Sequence, residues 1–381
     1  MIGHKKQAHE HRYIFLRREL EAVLRSRKPG EALPSYTEMI RTYGVGQSTI
    51  DRVLRDFETS GLITRQAGKG IFVSPRASKK TVGFVFGRDI FQPGHSPICS
   101  MLLQQCRDRA RKGRENFKFY LDLPDATDIR MDFSLHRDLF DDIKNKRLDG
   151  IMLVWSYGPE ETKWVRSFGI PLVSLGAEGD IDTHSVIIDY IDLVKQAARA
   201  LVETGCKKIG FLSSSGYLRQ KGFGRDISQI EGVLGRNGLR LDPALILEDT
   251  VGRSINAGGS MGNEELGFDL MRTFLAAREA AGSDPLPFDG LISDDDMMTR
   301  GALAALHENG IVLDERLHIA THANKNSPVL MGYERNLLLL QIDPHEIVNA
   351  MFSLLEPMME GRKTEKTKRY IKPKLISPAE K

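Results

Sequence analysis

Apolar residues over the first 75 positions recur at helical spacing and then give way to short extended runs. Tyr13, Leu16, Leu20, Val23 and Leu24 mark one face of a helix that Pro29–Gly30 stops. Ser35, with Glu38 three residues on, makes a capping box for a second short helix through Met39 and Ile40. Gly44 turns the chain. Gln47–Ser48–Thr49 then opens a third helix whose apolar positions Ile50, Val53, Leu54 and Phe57 share one side, with Gly61 as its stop. Leu62–Thr64 and Ile71–Val73 flank the turn Gln66–Gly70 and predict a β-hairpin with a glycine-rich tip. A helix, a tight turn and a second helix with a polar start is helix-turn-helix geometry, and the hairpin is its wing. The same pattern also serves small winged modules that bind protein.

Residues 75–80 are polar and basic without apolar periodicity, and are expected to be a linker between a unit at 1–74 and a second at 81–381. Beyond them, β-rich runs appear at 82–86, 117–121, 150–154, 171–175, 186–188, 208–212, 290–293 and 317–321. Helical stretches separate them near 97–112, 133–146, 160–168, 189–204, 221–237, 263–282, 297–309 and 344–360. Such alternation predicts parallel sheets with helices on both faces. Three hundred residues of it exceed one compact sheet, so the reading is two α/β lobes with a cleft.

Charge sharpens the division. The chain carries 54 Lys and Arg against 51 Asp and Glu, yet residues 1–80 hold 16 of the former and only 8 of the latter. A small basic unit before a larger, slightly acidic one is the distribution a polyanion-binding module needs. No apolar run approaches the roughly 18 residues of a membrane span. The three scattered cysteines, Cys99, Cys106 and Cys206, and the absence of an apolar stretch after the basic start place the expectation in a reducing cytoplasm. No Walker A, G-x-S-x-G, H-E-x-x-H or C-x-x-C pattern occurs, so neither an enzyme nor a bound cofactor is expected, and histidines 4, 9 and 11 read as solvated rather than as metal ligands.

Residues 30–35 (GEALPS), Tyr43–Gly44–Val45, Ser48–Thr49–Ile50, Gly61–Leu62–Ile63 and Gly68–Lys69–Gly70–Ile71–Phe72–Val73 together resemble the winged helix-turn-helix of the GntR family over residues 11–74. That resemblance implies contacts to double-stranded operator DNA from Tyr36, Thr37, Gln47, Ser48, Thr49, Arg52 and, in the wing, Lys69. Where that family has arginines this chain has Thr37, Gln47 and Asp51, and Gln pairs with adenine where Arg favours guanine. The site is therefore expected to depart from the family's common operator.

The second half resembles the effector domain of the LacI family, which has the periplasmic-binding-protein fold. The resemblance rests on residues 81–85 (TVGFV), 148–151 (LDGI), 169–173 (GIPLV), 186–189 (VIID), 201–209 (LVETGCKKI), 219–223 (RQKGF), Asp295–Asp296 and Gly301–Ala302 in that order. It implies a homodimer and a small-molecule effector, a sugar foremost, with Arg219, Asp295 and Asp296 at the ligand. An Asp usual after the next strand is replaced by Ala323 or Asn324.

Ligands of such folds sit at the carboxyl ends of the strands. Strand ends here supply Phe86, Arg88, Phe91, Trp155, Asp189 and Asn324, besides the three residues named from the resemblance. Aromatic faces beside Asp, Asn and Arg suit a sugar; a nucleobase uses the same set. Of Asp294–Asp296, one is expected to cap the helix starting near Met297. The combined expectation is a ligand-responsive transcriptional regulator. The alternative is a cytoplasmic solute-binding protein whose N-terminal module contacts protein.

Overall fold

A computed structural model describes residues 2–86, 96–113, 115–120, 137–154, 159–176, 183–213, 216, 226–255, 259–313 and 316–377. Helix α1 (Ile2–Ser26), α2 (Tyr36–Tyr43), α3 (Gln47–Thr59) and the antiparallel pair β1 (Ile63–Gln66) and β2 (Gly70–Val73) form the first unit. Its core is the predicted apolar set: Leu16 and Leu20 of α1 meet Ile50, Val53, Leu54 and Phe57 of α3, all fully buried. Tyr13 of α1 donates to Asp56 of α3, and Arg17 donates to the Tyr13 hydroxyl at 2.9 Å, so polar contacts fix the same pair of helices. The Ser35–Glu38 capping box is present on both sides, with Glu38 Oε2 accepting from Ser35 N at 2.7 Å; such caps contribute about 1 kcal/mol.

Residues Pro75–Ser78 are a single 3-10 turn rather than an unstructured tether. Arg76 is held to the next unit, its carbonyl accepting from Asn116 Nδ2 at 2.9 Å.

The first lobe is a six-stranded parallel sheet in the order β13-β7-β6-β5-β3-β4. Its strands are β3 (Thr81–Phe86), β4 (Asn116–Tyr120), β5 (Gly150–Val154), β6 (Leu172–Leu175), β7 (His184–Ile188) and β13 (Lys368–Ile371). Helices α4 (Ile98–Arg111), α5 (Arg137–Lys144) and α6 (Pro159–Ser167) follow β3, β4 and β5. The second lobe is ordered β14-β12-β11-β10-β8-β9. It comprises β8 (Ile209–Ser213), β9 (Ile246–Glu248), β10 (Gly290–Ser293), β11 (His318–Asn324), β12 (Leu337–Ile342) and β14 (Lys374–Ile376), the last antiparallel to β12. Helices α7 (Tyr190–Glu203), α8 (Asp226–Arg236), α9 (Asn263–Ala280) and α10 (Asp296–Glu308) cover it. The central strands are buried end to end, as sheets covered on both faces require.

The chain passes between lobes three times. After β7 it crosses at Asp189 into α7, which packs in the second-lobe core. After β12 it returns through Asp343 into α11 (Pro344–Met359), whose Ile347, Met351, Phe352 and Leu355 fill the first-lobe core. After β13 it crosses again before β14. These crossings are pinned to one another: Asp189 N donates to Ile371 O at 2.9 Å and Gln196 Nε2 to Pro373 O at 3.2 Å. Short crossovers beside a cleft form a hinge.

The first unit docks on the first lobe through Arg147. Its guanidinium contacts Glu21 of α1 at 3.1 Å and Asp142 of α5 at 3.2 Å. Asp142 is buried and also accepts from Tyr120 at 2.6 Å and Lys118 at 2.8 Å. Burial pushes its carboxyl up, but these three donors outweigh burial and hold it below its ordinary value.

Strand and helix positions follow the periodic reading closely; Gly150–Val154 and Gly290–Ser293 have the expected ends. Strands β9, β12, β13 and β14 are additions to it. Two glycines explain how α9 and α10 lie so close. A Cβ on Gly301 would stand 1.9 Å from the Glu264 carbonyl oxygen, and one on Gly267 would stand 2.1 Å from that of Met298. Gly301→Ala is expected to destabilise the chain by at least the 1–3 kcal/mol typical of overpacking, whereas Gly235→Ala, with nothing within 4 Å, should be neutral or stabilising. Thermal unfolding of the two variants measures the contrast, and equal melting temperatures would refute it.

Candidate functional site

Two surfaces concentrate chemistry. The first is built by the turn between α2 and α3. Gly44 takes the left-handed conformation (φ +63°) with its N–H on Ile40 O, and buried Val45 pins the turn from below. The N-terminus of α3 therefore projects outward, with Gln47 and Ser48 exposed and the helix's positive end beneath them. Thr37 is exposed on α2. Lys69 is exposed at the wing tip, where Gly68 and Gly70 both have positive φ.

Three expected contacts sit differently. Thr49 is 6% exposed and packs with the apolar side of α3, because the helical period places it beside Ile50 and Val53; it does not offer its hydroxyl to this surface. Arg52 is exposed but lies over the Tyr13 ring, 4.2 Å from its centroid. Tyr36 is half-buried and donates to Asp51 at 2.6 Å, while Arg65 donates to the Tyr36 hydroxyl at 3.1 Å. Burial first, and the Asp51 hydrogen bond second, raise the Tyr36 pKa. This triad ties α2, α3 and the wing together and gives Asp51 a partner within the protein.

The second surface lies at the carboxyl ends of β8, β10 and β11. Asp295 caps α10: its Oδ1 accepts from Met298 N at 2.9 Å and its Oδ2 from Asn263 Nδ2 at 2.8 Å. Asp294 accepts from Ser213 Oγ at the end of β8. Asp296 accepts from Asn324 Nδ2 at 3.3 Å, and the His322 ring stands 4.0 Å from its other oxygen. Asp294 Oδ1, Asp296 Oδ1, Asn324 Oδ1 and His322 Nε2 are buried and have no hydrogen-bond partner among the described residues. Unmade hydrogen bonds of buried groups cost about 1–3 kcal/mol each, so a donor-rich ligand gains by making them. Asp296 and Asn324 also form the floor of a cavity of about 390 Å³, walled by Asn326, Ser327, Arg335 and Gln341 of the second lobe. Tyr190, 42% exposed at the first crossover, presents its ring 6.1 Å from that of His322.

Burial dominates the electrostatics. It drives Asp294 well above the ordinary carboxylate range, with Asp226 adding repulsion. It raises Asp295, with the neighbouring Asp296 charge adding to the rise. It pushes Asp296 up to about 6 and His322 down to about 4.

The structure thus brings Asp295, Asp296 and Asn324 together and sets Asp189 at the crossover, where its side chain caps α7 through Asp192 N at 2.9 Å. Phe86 departs from expectation. It is fully buried in the first-lobe core against Phe84, at 5.1 Å between rings, because it is the last residue of a strand covered on both faces. Arg88, Phe91, Trp155 and Arg219 lie outside the described residues. Sequence reasoning passed over Tyr190 and Asn263. Tyr190 follows directly on a strand-end Asp, which was the signal that could have found it; Asn263 had none, being recruited from 32 residues away by Asp295. Among the described residues no group of three His, Cys, Asp or Glu is arranged to hold a metal ion.

Comparison with known proteins separates the two halves. Residues 15–73 match the sequence model of the gntR family of bacterial regulatory proteins. No curated protein matches the chain. Among solved structures, a transcriptional regulator CelR–cellobiose complex superposes with a TM-score of 0.56 at 17% identity, over 87% of this chain and 90% of that one. A LacI-family regulatory protein from Chloroflexus aggregans gives 0.59 at 19% identity, over 78% of this chain and 96% of that one. The Escherichia coli transcriptional repressor AscG gives 0.58 at 18%, over 78% and 97%. The fold is therefore a GntR-type winged helix-turn-helix followed by the two-lobed fold of LacI-type regulators.

The shifted groups have a sign that can be tested. Asp296, at about 6 in the fold against about 3.9 unfolded, stabilises the native state fully below about pH 4, and that contribution is lost as pH rises through 6. His322 acts oppositely, contributing above about 6.5 and losing that as pH falls through 4. Asp296→Asn is expected to be more stable than the parent by about 2–3 kcal/mol at pH 7.5, the gap closing towards pH 4. Urea unfolding across that range reads it, and a gap independent of pH would show that the Asp296 charge is not the cause.

Proposed function

We propose that this chain is a ligand-responsive transcriptional regulator, a repressor that binds operator DNA through α3 and the wing and senses a sugar in the cleft between its lobes. The observation that carries the reading is the union in one chain of two features. One is a gntR-type unit with an exposed polar N-terminus on its third helix; the other is a hinged pair of lobes, the second of which holds at its strand ends buried acceptors with no partner among the described residues. Sugar fits because its hydroxyls donate to Asp296 and Asn324 while its C–H face covers Tyr190. The cellobiose bound to CelR supports that class.

The seven residues Tyr36, Thr37, Gln47, Ser48, Thr49, Arg52 and Lys69 divide by exposure on this reading. Gln47 and Ser48 read base edges, Thr37 and Lys69 meet phosphates, and Tyr36 positions the recognition helix. Thr49 and Arg52 support the packing. The protein works as a cytoplasmic homodimer that sets two recognition helices against half-sites about one DNA turn apart. Ligand draws the lobes together about the three crossovers and changes that spacing by population shift. The first lobe passes its movement to α1 through Arg147 and Glu21, and to the wing through Asn116 and Arg76. On this reading Arg88, Phe91, Trp155 and Arg219 also contact the ligand.

Fluorescence anisotropy with operator and unrelated duplexes tests the DNA half. Gln47→Ala with Ser48→Ala should erase preference between sequences while leaving weak, salt-sensitive binding. Lys69→Ala should weaken all duplexes alike and lower the slope of log affinity against log salt by about 1. A flat salt dependence in the parent would instead favour a solute-binding protein with a protein-contacting N-terminal module. Thermal shift with mono- and disaccharides tests the other half. A ligand at about a hundredfold excess over Kd adds about 2.7 kcal/mol, and Asn324→Ala should remove most of that gain.

A further inference from the structure

A second concavity lies away from the cleft, where the 3-10 turn meets the outer edge of the first lobe. It has a volume of about 360 Å³ and is ringed by four cations: Arg76 and Lys79 from the connection, Arg107 and Arg111 from α4. Its floor is aromatic. Phe117 and Phe119 of the edge strand β4 stack at 6.0 Å and 10° between planes, and Phe119 is 40% exposed.

The charge there is poorly compensated. The one carboxylate in the wall among the described residues, Glu115, is buried and committed to Arg109, which donates to it twice at 3.1 and 2.7 Å. Among the described residues the ion pair of Arg111 is a distant one, 3.8 Å to Asp108. Arg76 donates to a neutral acceptor, Asn116 Oδ1, at 3.3 Å. Lys79 and Arg107 have no carboxylate partner among the described residues. Four cations held around one concavity repel one another, and an anion relieves that repulsion. Guanidinium forks match phosphate oxygens in pairs, and an exposed aromatic floor accepts a flat ring by stacking. A duplex backbone offers phosphates but no ring to stack on Phe119.

We propose that this pocket binds a nucleoside monophosphate, phosphate among Arg107, Arg111 and Lys79 and base on Phe119. Because Arg76 and Lys79 belong to the connection and the other residues to the lobe, a bound nucleotide fastens the DNA-binding unit to the first lobe. The site is independent of the sugar cleft.

Calorimetric titration of the full chain with AMP, adenosine and inorganic phosphate tests it. AMP should bind, with adenosine and phosphate each at least tenfold weaker. Arg107→Ala with Arg111→Ala should weaken AMP at least tenfold without moving the thermal response to saccharides. Both arginines are exposed, so folding should survive, and Phe119→Ser gives a second handle: it should weaken AMP while leaving the weak phosphate binding unchanged. AMP binding that ignores all three substitutions, or its absence, overturns the proposal. The same holds if the arginine pair, with no AMP bound by the parent, lowers DNA affinity and its salt slope, or shifts the dimer towards monomer. The patch would then be a DNA or subunit contact.

Discussion

In a parallel sheet every strand delivers its carboxyl end to the same edge, and that constraint organises this molecule. Each βαβ unit of both lobes releases its loop, and opens its next helix, at that edge. Residues that cap those helices, Asp189 for α7, Asp295 for α10 and Asp343 for α11, consequently share one rim. Where caps crowd, as at Asp294–Asp296, burial and mutual repulsion raise their proton affinity. The polar cluster is thus a product of the fold's direction, and a ligand inherits whatever capping leaves unused: the second oxygen of Asp296 and the carbonyl of Asn324.

Three crossings join the lobes, and they give the hinge its character. A single strap would leave the lobes free to twist, whereas several straps resist it, and here the first and third are tied by Asp189 N to Ile371 O and Gln196 to Pro373 O. The returning helix α11 is anchored accordingly. Arg109 lies 3.6 Å from the centroid of the Phe352 ring and bonds Glu356 at 2.7 Å and Glu115, so α4, the start of β4 and α11 move together. Bending therefore leaves each lobe's core intact.

The lobes were legible because their strands are uninterrupted apolar runs between helical periods. Strand β12, Leu337–Ile342, has the same character but only Asp343 separates it from the apolar helix α11, so periodicity alone had no edge to mark. Strands β13 and β14 are short and each open on a lysine, and exist because a neighbouring sheet edge pairs them. The site was half legible. Asp295, Asp296 and Asn324 announce themselves at strand ends. Phe86 and Thr49 occupy equally suggestive positions, yet the last residue of a strand covered on both faces still packs into the core, and a helix's third residue can face inward. Position names a neighbourhood; the period decides the direction.

On the proposed reading, that directionality also decides how a cleft event reaches DNA. The cleft lies at the carboxyl ends of the first-lobe strands, whereas Arg147 and Asn116 lie at their amino ends, the far side of the sheet. Rearranged loops in the cleft cannot transmit over that distance unless the lobe moves as a body. The Asp142 cluster makes it do so: Lys118 and Tyr120 of β4, Asp142 of α5 and Arg147 before β5 are bonded into one unit that ends on Glu21. Replacing Arg147 would leave Asp142 with two of its three donors and remove the Glu21 contact of α1 with the lobe. Signal and fold stability are therefore coupled at that residue, since the ion pair that carries the motion also satisfies a buried carboxylate.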